Sequence, residues 1–122
     1  MALQLNPALD AAYINQAYGE DPVILYMIFD AFLSDSLPRW HTLQQALETD
    51  DRKESASIVH GLKPSFTMTG LTMIRPKVDE LEKAIKNNAG SADLMDRYLS
   101  ISNELNAVIP ILEEESERLK QL

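Results

Sequence analysis

An all-α fold is predicted by three observations. Apolar residues recur at three- and four-residue spacing in segment after segment, no stretch alternates as a strand would, and Asn-Pro, Asp-Pro and asparagine–glycine breaks punctuate the chain. Short connections between such helices favour antiparallel neighbours, so the expected architecture is an antiparallel up-and-down four-helix bundle with a short additional N-terminal helix. The 122 residues fit one domain spanning 1–122, large enough for a real core.

Asn6-Pro7 reads as an N-cap with proline at the first helical position, opening a short helix that ends near Gly19. Asp21-Pro22 repeats that signature and starts a long helix through Phe29, Phe32, Trp40, Leu43 and Leu47, bent at Pro38 where a donor is missing. Asp51, with Glu54 three residues later, resembles a capping box for the next helix. Leu71, Ile74, Val78, Leu81 and Ile85 then step by three and four until Asn87-Asn88-Ala89-Gly90 stops them. Ser91 is expected to cap the last helix, whose stripe is Leu94, Tyr98, Ile101, Leu105, Val108 and Leu112, with a kink at Pro110. Met68 and Met73 read as core filler, and Glu113-Glu114-Glu115 as a solvated surface.

Composition removes several function classes. With no cysteine, disulfides, thiolate catalysis and cysteine-ligated metals are excluded. The longest apolar run, Val23 to Phe29, is far too short to cross a bilayer, and the start of the chain lacks a secretory pattern, so a cytoplasmic location without membrane insertion is expected. Nineteen acidic residues against eleven basic ones give a net charge of −8, and the basic ones are scattered. Nucleic acid is therefore not an expected partner.

The most informative stretch is Val59-His60-Gly61-Leu62-Lys63-Pro64-Ser65-Phe66, closed by Gly70-Leu71. At about 100° per residue, Ile58, Val59, Leu62, Phe66 and Thr69 gather on one side of a helix, and His60 points about 150° away from them. Lys63 lies about 60° from His60 on the next turn, Lys53 and Thr67 share its face, and the small or compact Ser57, Gly61 and Pro64 surround it. An exposed imidazole with an ammonium in reach suits a transient anion carried on the histidine. His41 lacks such a companion lysine and reads as a solvated side chain.

The block His60, Leu62-Lys63, Pro64, Ser65 and Gly70 resembles the signature of a histidine-containing phosphotransfer (HPt) domain. Phe32, the Leu43, Ala46 and Asp50 run, and Leu81-Glu82 extend the likeness over nearly the whole chain. The resemblance implies a phosphorelay intermediate: His60 accepts a phosphoryl group through Nε2 from the aspartyl phosphate of a response-regulator receiver domain and passes it to another. Lys63 would steady the phosphoryl oxygens, with Gly61, Pro64, Thr67 and Gly70 near the site. Partners would be a receiver domain or a hybrid histidine kinase. The chain would hold no metal or cofactor of its own, the Mg²⁺ coming with the receiver, and would be a phosphotransfer protein without autokinase activity. A monomer is the simplest state for a complete bundle.

One position departs from the family pattern. Pro64 stands where the family usually has glycine, and its missing N–H leaves the His60 carbonyl without a helical partner. A mid-helix proline costs about 3 kcal/mol, so a local bend or relaxed turn is expected, with Gly61 restoring room for a partner. Rival readings fare less well. A kinase dimerisation domain normally carries an acidic residue after its histidine, where this chain has Gly61. A carboxylate-bridged di-metal bundle needs Glu-x-x-His pairs, but Ser57 and Pro38 stand three residues before His60 and His41. The remaining alternative is an adaptor that binds a receiver or other signalling protein without transferring anything. Docking calls for an apolar patch beside His60, expected from among Tyr26, Met27 and Ile28.

Overall fold

The computed structural model describes residues 5–19 and 21–121. They form a helical bundle, without strands among the described residues: α1 (Ala11–Tyr18), α2 (Pro22–Ala31), a π-helical turn (Phe32–Ser36), α3 (Leu37–Glu48), α4 (Arg52–Met68), α5 (Arg75–Lys86) and α6 (Ser91–Lys120). No helix among the described residues is long and apolar enough to cross a membrane.

The stripes read from the sequence supply the core. Leu71, Ile74, Val78, Leu81 and Ile85 are all buried, as are Leu94, Tyr98, Ile101, Leu105 and Leu112, while Val108 is only partly so. At its centre Trp40 stacks on Tyr98 with ring centroids 5.0 Å apart and meets the edge of Phe66 at 5.7 Å; Phe32 meets Phe66 at 5.6 Å. Trp40 Nε1 donates to Ser102 Oγ at 3.0 Å and the Tyr98 hydroxyl to the Trp40 carbonyl at 3.2 Å. Both polar tips are thereby satisfied where water is absent.

The bend expected at Pro38 takes the form of the π-helical turn just before it. Leu37 N–H reaches back five residues to the Phe32 carbonyl. The extra residue in that turn brings Phe32 and Trp40, eight positions apart, onto one face that ordinarily needs a spacing of seven. In contrast, α4 and α6 continue unbroken through Pro64 and Pro110.

One turn geometry ends α3, α4 and α5. Asp50, Gly70 and Asn88 all have positive φ. In each case the next amide donates to a carbonyl five residues back: Asp51 to Ala46, Leu71 to Phe66, Ala89 to Ala84. These are Schellman caps, which satisfy carbonyls that a helix end leaves open.

Several expectations need correction. The first helix begins at Ala11, because Asp10 rather than Asn6 is its N-cap, its carboxylate accepting the Tyr13 N–H at 3.0 Å. Asn6 Oδ1 instead accepts the Ala8 N–H within a turn, and buried Leu9 together with the Asp10 N–H bond to the Gly70 carbonyl (2.9 Å) fixes that segment. The capping box is half-formed: Asp51 accepts from Glu54 N–H, but its own N–H is committed to Ala46. Gly90 precedes α6, and Ser91 is its first residue, with no side-chain cap. Met68 and Met73 are exposed, Met73 because it lies in the turn before α5. Glu115 is buried and bonded by Arg118 at 2.6 Å, since it continues the inner stripe from Leu112 to Leu119.

Candidate functional site

The site is built on α4, whose neighbours set it in register. Along α5 three polar pairs climb one turn at a time: Thr67 with Arg75, Lys63 with Asp79, and His60 with Glu82. On the other flank Ser36 Oγ meets Ser65 Oγ at 3.0 Å, and a methyl built on Gly61 would lie 4.0 Å from Arg39 Nη2. Both α3 and α5 therefore run antiparallel to α4, and His60 stands on the open strip between them.

His60 keeps 71% of its side-chain surface exposed, whereas Glu82 keeps only 7%. Glu82 Oε2 lies 3.0 Å from His60 Nδ1 and 3.4 Å from Lys86 Nζ, and Oε1 lies 2.6 Å from Lys63 Nζ. Burial pushes the Glu82 carboxyl up, but hydrogen bonds from Lys63 and His60 outweigh it and hold the group below the usual carboxylate range. An ionised carboxylate can only accept, so Nδ1 carries the ring proton. The lone pair is left on Nε2. A carboxylate behind an imidazole fixes its tautomer and angle.

Lys63 is largely covered, and its pKa is raised, chiefly by the Glu82 hydrogen bond. It also lies 3.6 Å from Asp79, which Arg75 Nε holds at 3.1 Å. Arg75 Nη1 donates further to the Lys63 carbonyl at 3.2 Å and to the Thr67 hydroxyl. Lys63, Asp79, Glu82 and Arg75 thus form one braced network behind the histidine.

The other residues singled out from the sequence fall into two groups. Gly61 and Pro64 are exposed beside His60. Thr67 faces Arg75, and Gly70 lies ten residues on, about 15 Å along the helix direction. There it serves the turn: its φ is +79°, and a Cβ would meet Ile14 Cδ1 at 2.5 Å. His41 and Lys53 are exposed without entering the network. Of the candidate docking residues, Met27 is exposed and Tyr26 and Ile28 are half-buried, while Val23 and Ile24 extend the apolar surface. Met27, Phe32, Ser65 and Met68 line a groove between α2 and the end of α4.

The brace formed by Glu82 was not assigned from the sequence, although a signal exists. Glu82 occupies a stripe position of α5, four after Val78 and three before Ile85, and a carboxylate there needs a partner. Which partner it meets depends on the α4–α5 register, which no local pattern supplies.

The sequence profile of the Hpt domain matches residues 27–121. The chain belongs to the Hpt domain family. No curated protein and no solved structure matches it. As an Hpt domain it is a phosphotransfer module of two-component signalling, a class that works with receiver domains and kinases and is not a stand-alone catalyst. Within the Hpt domain the matched span holds His60 and its whole network, while α1 lies outside it.

Proposed function

We propose that His60 is the phosphoryl carrier, taking the group through Nε2 from the aspartyl phosphate of one receiver domain and handing it to another. The observation that carries this reading is the 3.0 Å contact of Nδ1 with the buried Glu82, which leaves an exposed Nε2 as the nucleophile. The Nε2 lone pair attacks phosphorus as the bond to the aspartate oxygen breaks. The ring, still protonated at Nδ1, becomes positive beside Glu82, and the receiver recovers its carboxylate. Lys63 holds Glu82 and lends its charge to the phosphoryl oxygens. Such a transfer asks mainly for alignment and cations around the moving charge.

The Mg²⁺ belongs with the receiver in this scheme. Asp79 and Glu82 are already neutralised by Lys63, Arg75 and Lys86, a poor seat for a divalent cation. Exposed Val23, Ile24, Met27 and Met68 offer the apolar surface on which a receiver would dock. The scaffold in this reading is an up-and-down antiparallel four-helix bundle, with 22–48 acting as one bent rod, working as a cytoplasmic monomer without nucleic acid.

The test is incubation with a phosphorylated receiver. Acid-labile, alkali-stable label should appear on this chain and vanish in His60→Gln. A stable complex with no label on the chain would favour the adaptor reading and refute transfer.

A further inference from the structure

Phosphorylation would put a dianion on the outer face of His60, and most nearby cations are already spoken for. Lys63 is bound to Glu82 and Asp79, Arg75 to Asp79 and Thr67, and Lys86 to Glu82. Arg39 is different. It lies on α3, exposed, and its guanidinium makes no hydrogen bond or ion pair among the described residues.

Its position is set by packing. Trp40, the next residue, is locked in the core against Phe66 and Tyr98, and Ser36, three residues before, is bonded to Ser65. Arg39 is therefore carried to the α4 flank, where Nη2 is the nearest atom outside α4 to a Cβ built on Gly61, at 4.0 Å. Gly61 directly follows His60, and consecutive Cα atoms are about 3.8 Å apart. Gly61 therefore adds no side chain of its own beside His60 on the α3 flank.

We propose that Arg39 is a second phosphoryl-binding group, closing on the phosphoryl oxygens from the α3 side while the Lys63 network braces the ring from the α5 side. This rests on His60 being the carrier. A guanidinium offers two parallel N–H donors that match two phosphoryl oxygens, a geometry an ammonium cannot supply. The bond changes are those of the transfer itself: Nε2–P forms, the P–O bond to the aspartate breaks, and Arg39 keeps its protons. It stabilises the dianion in the transition state and on the loaded histidine.

The experiment loads the full chain chemically with phosphoramidate, so that no receiver is needed, and then follows phosphohistidine by ³¹P NMR. Arg39→Gln should shorten the lifetime of the label, raise the pH at which the phosphoryl group takes up its proton, and slow transfer from a phosphorylated receiver roughly tenfold, the loss expected for one charge-assisted contact. Arg39→Lys should recover only part of this, and both variants should melt as the native chain does. Identical lifetime, titration and transfer rate in Arg39→Gln, with His60 still labelled, would overturn the proposal and leave the carrier reading intact. If His60 in the native chain takes no label from phosphoramidate or a receiver, both fall.

Discussion

Glu82→Gln isolates the charge behind His60 with little change of shape. In the native chain the carboxylate accepts from Lys63 Nζ at 2.6 Å and His60 Nδ1 at 3.0 Å while almost wholly buried. Hydrogen bonds involving an ionised group contribute about 1.5–3 kcal/mol each, and neutralising one partner removes about half of that. Two such bonds weakened together give a loss of about 1.5–3 kcal/mol at neutral pH, or roughly 5–15 °C in Tm for a domain of this size. The pH dependence has a definite sign. Because the folded carboxyl sits below its ordinary value of 4.5, its contribution is complete above that pH and is lost as pH falls through the folded value. Native and variant stabilities should thus differ most at neutral pH and converge in acid. Urea unfolding at a series of pH values, followed by the fluorescence of the single tryptophan, Trp40, measures this directly. Transfer to His60 should fall about five- to tenfold, since glutamine can still accept from Nδ1 but no longer offsets the charge on the ring. Equal stability at pH 7 together with a native transfer rate would refute the role given to Glu82.

Two further outcomes follow from the backbone. Gly70→Ala places a Cβ on Ile14 and forces a non-glycine residue into left-handed backbone, so we expect a loss of about 2–4 kcal/mol by chemical denaturation, with His60 still labelled in the folded fraction. Pro64→Ala restores an N–H to α4 and removes the ring from the His60 carbonyl; stability should rise by about 1–2 kcal/mol in thermal unfolding, and a fall would mean that the proline pre-organises the helix.

The core stripes and the outward phase of His60 were legible because both are properties of a single helix. Leu71 to Ile85 repeat in sequence what they do in space, and His60 falls opposite Val59, Leu62 and Phe66 on any α-helical wheel. What depends on two helices meeting was not legible. The Glu82 brace needs the α4–α5 register, and the approach of Arg39 to Gly61 needs α3 placed beside α4. The π-helical turn was seen only as a bend at Pro38, because widening one turn leaves no mark in residue type. Met68 and Met73 were misjudged at the end of α4 and in the turn after it, where residue type was a poor guide to which side chains the neighbouring elements cover, and Glu115 was read by its charge although it falls on the stripe from Leu112 to Leu119. The N-terminal start was misplaced because Asn6-Pro7 carries the local signal, while tertiary contacts at Asp10 decide the outcome.

Those contacts bear on where the working unit begins. The family match starts at residue 27, but Leu9 and Ile14 are buried, the Thr72 hydroxyl donates to Asp10, and the Tyr18 hydroxyl donates to the Met68 carbonyl. The leading segment is thus a plug driven into the mouth of the hairpin between α4 and α5. A recombinant fragment trimmed to the start of the family match would uncork that mouth, lay bare apolar walls and invite self-association, so residues 5–18 belong to the folding unit even though the family profile passes over them.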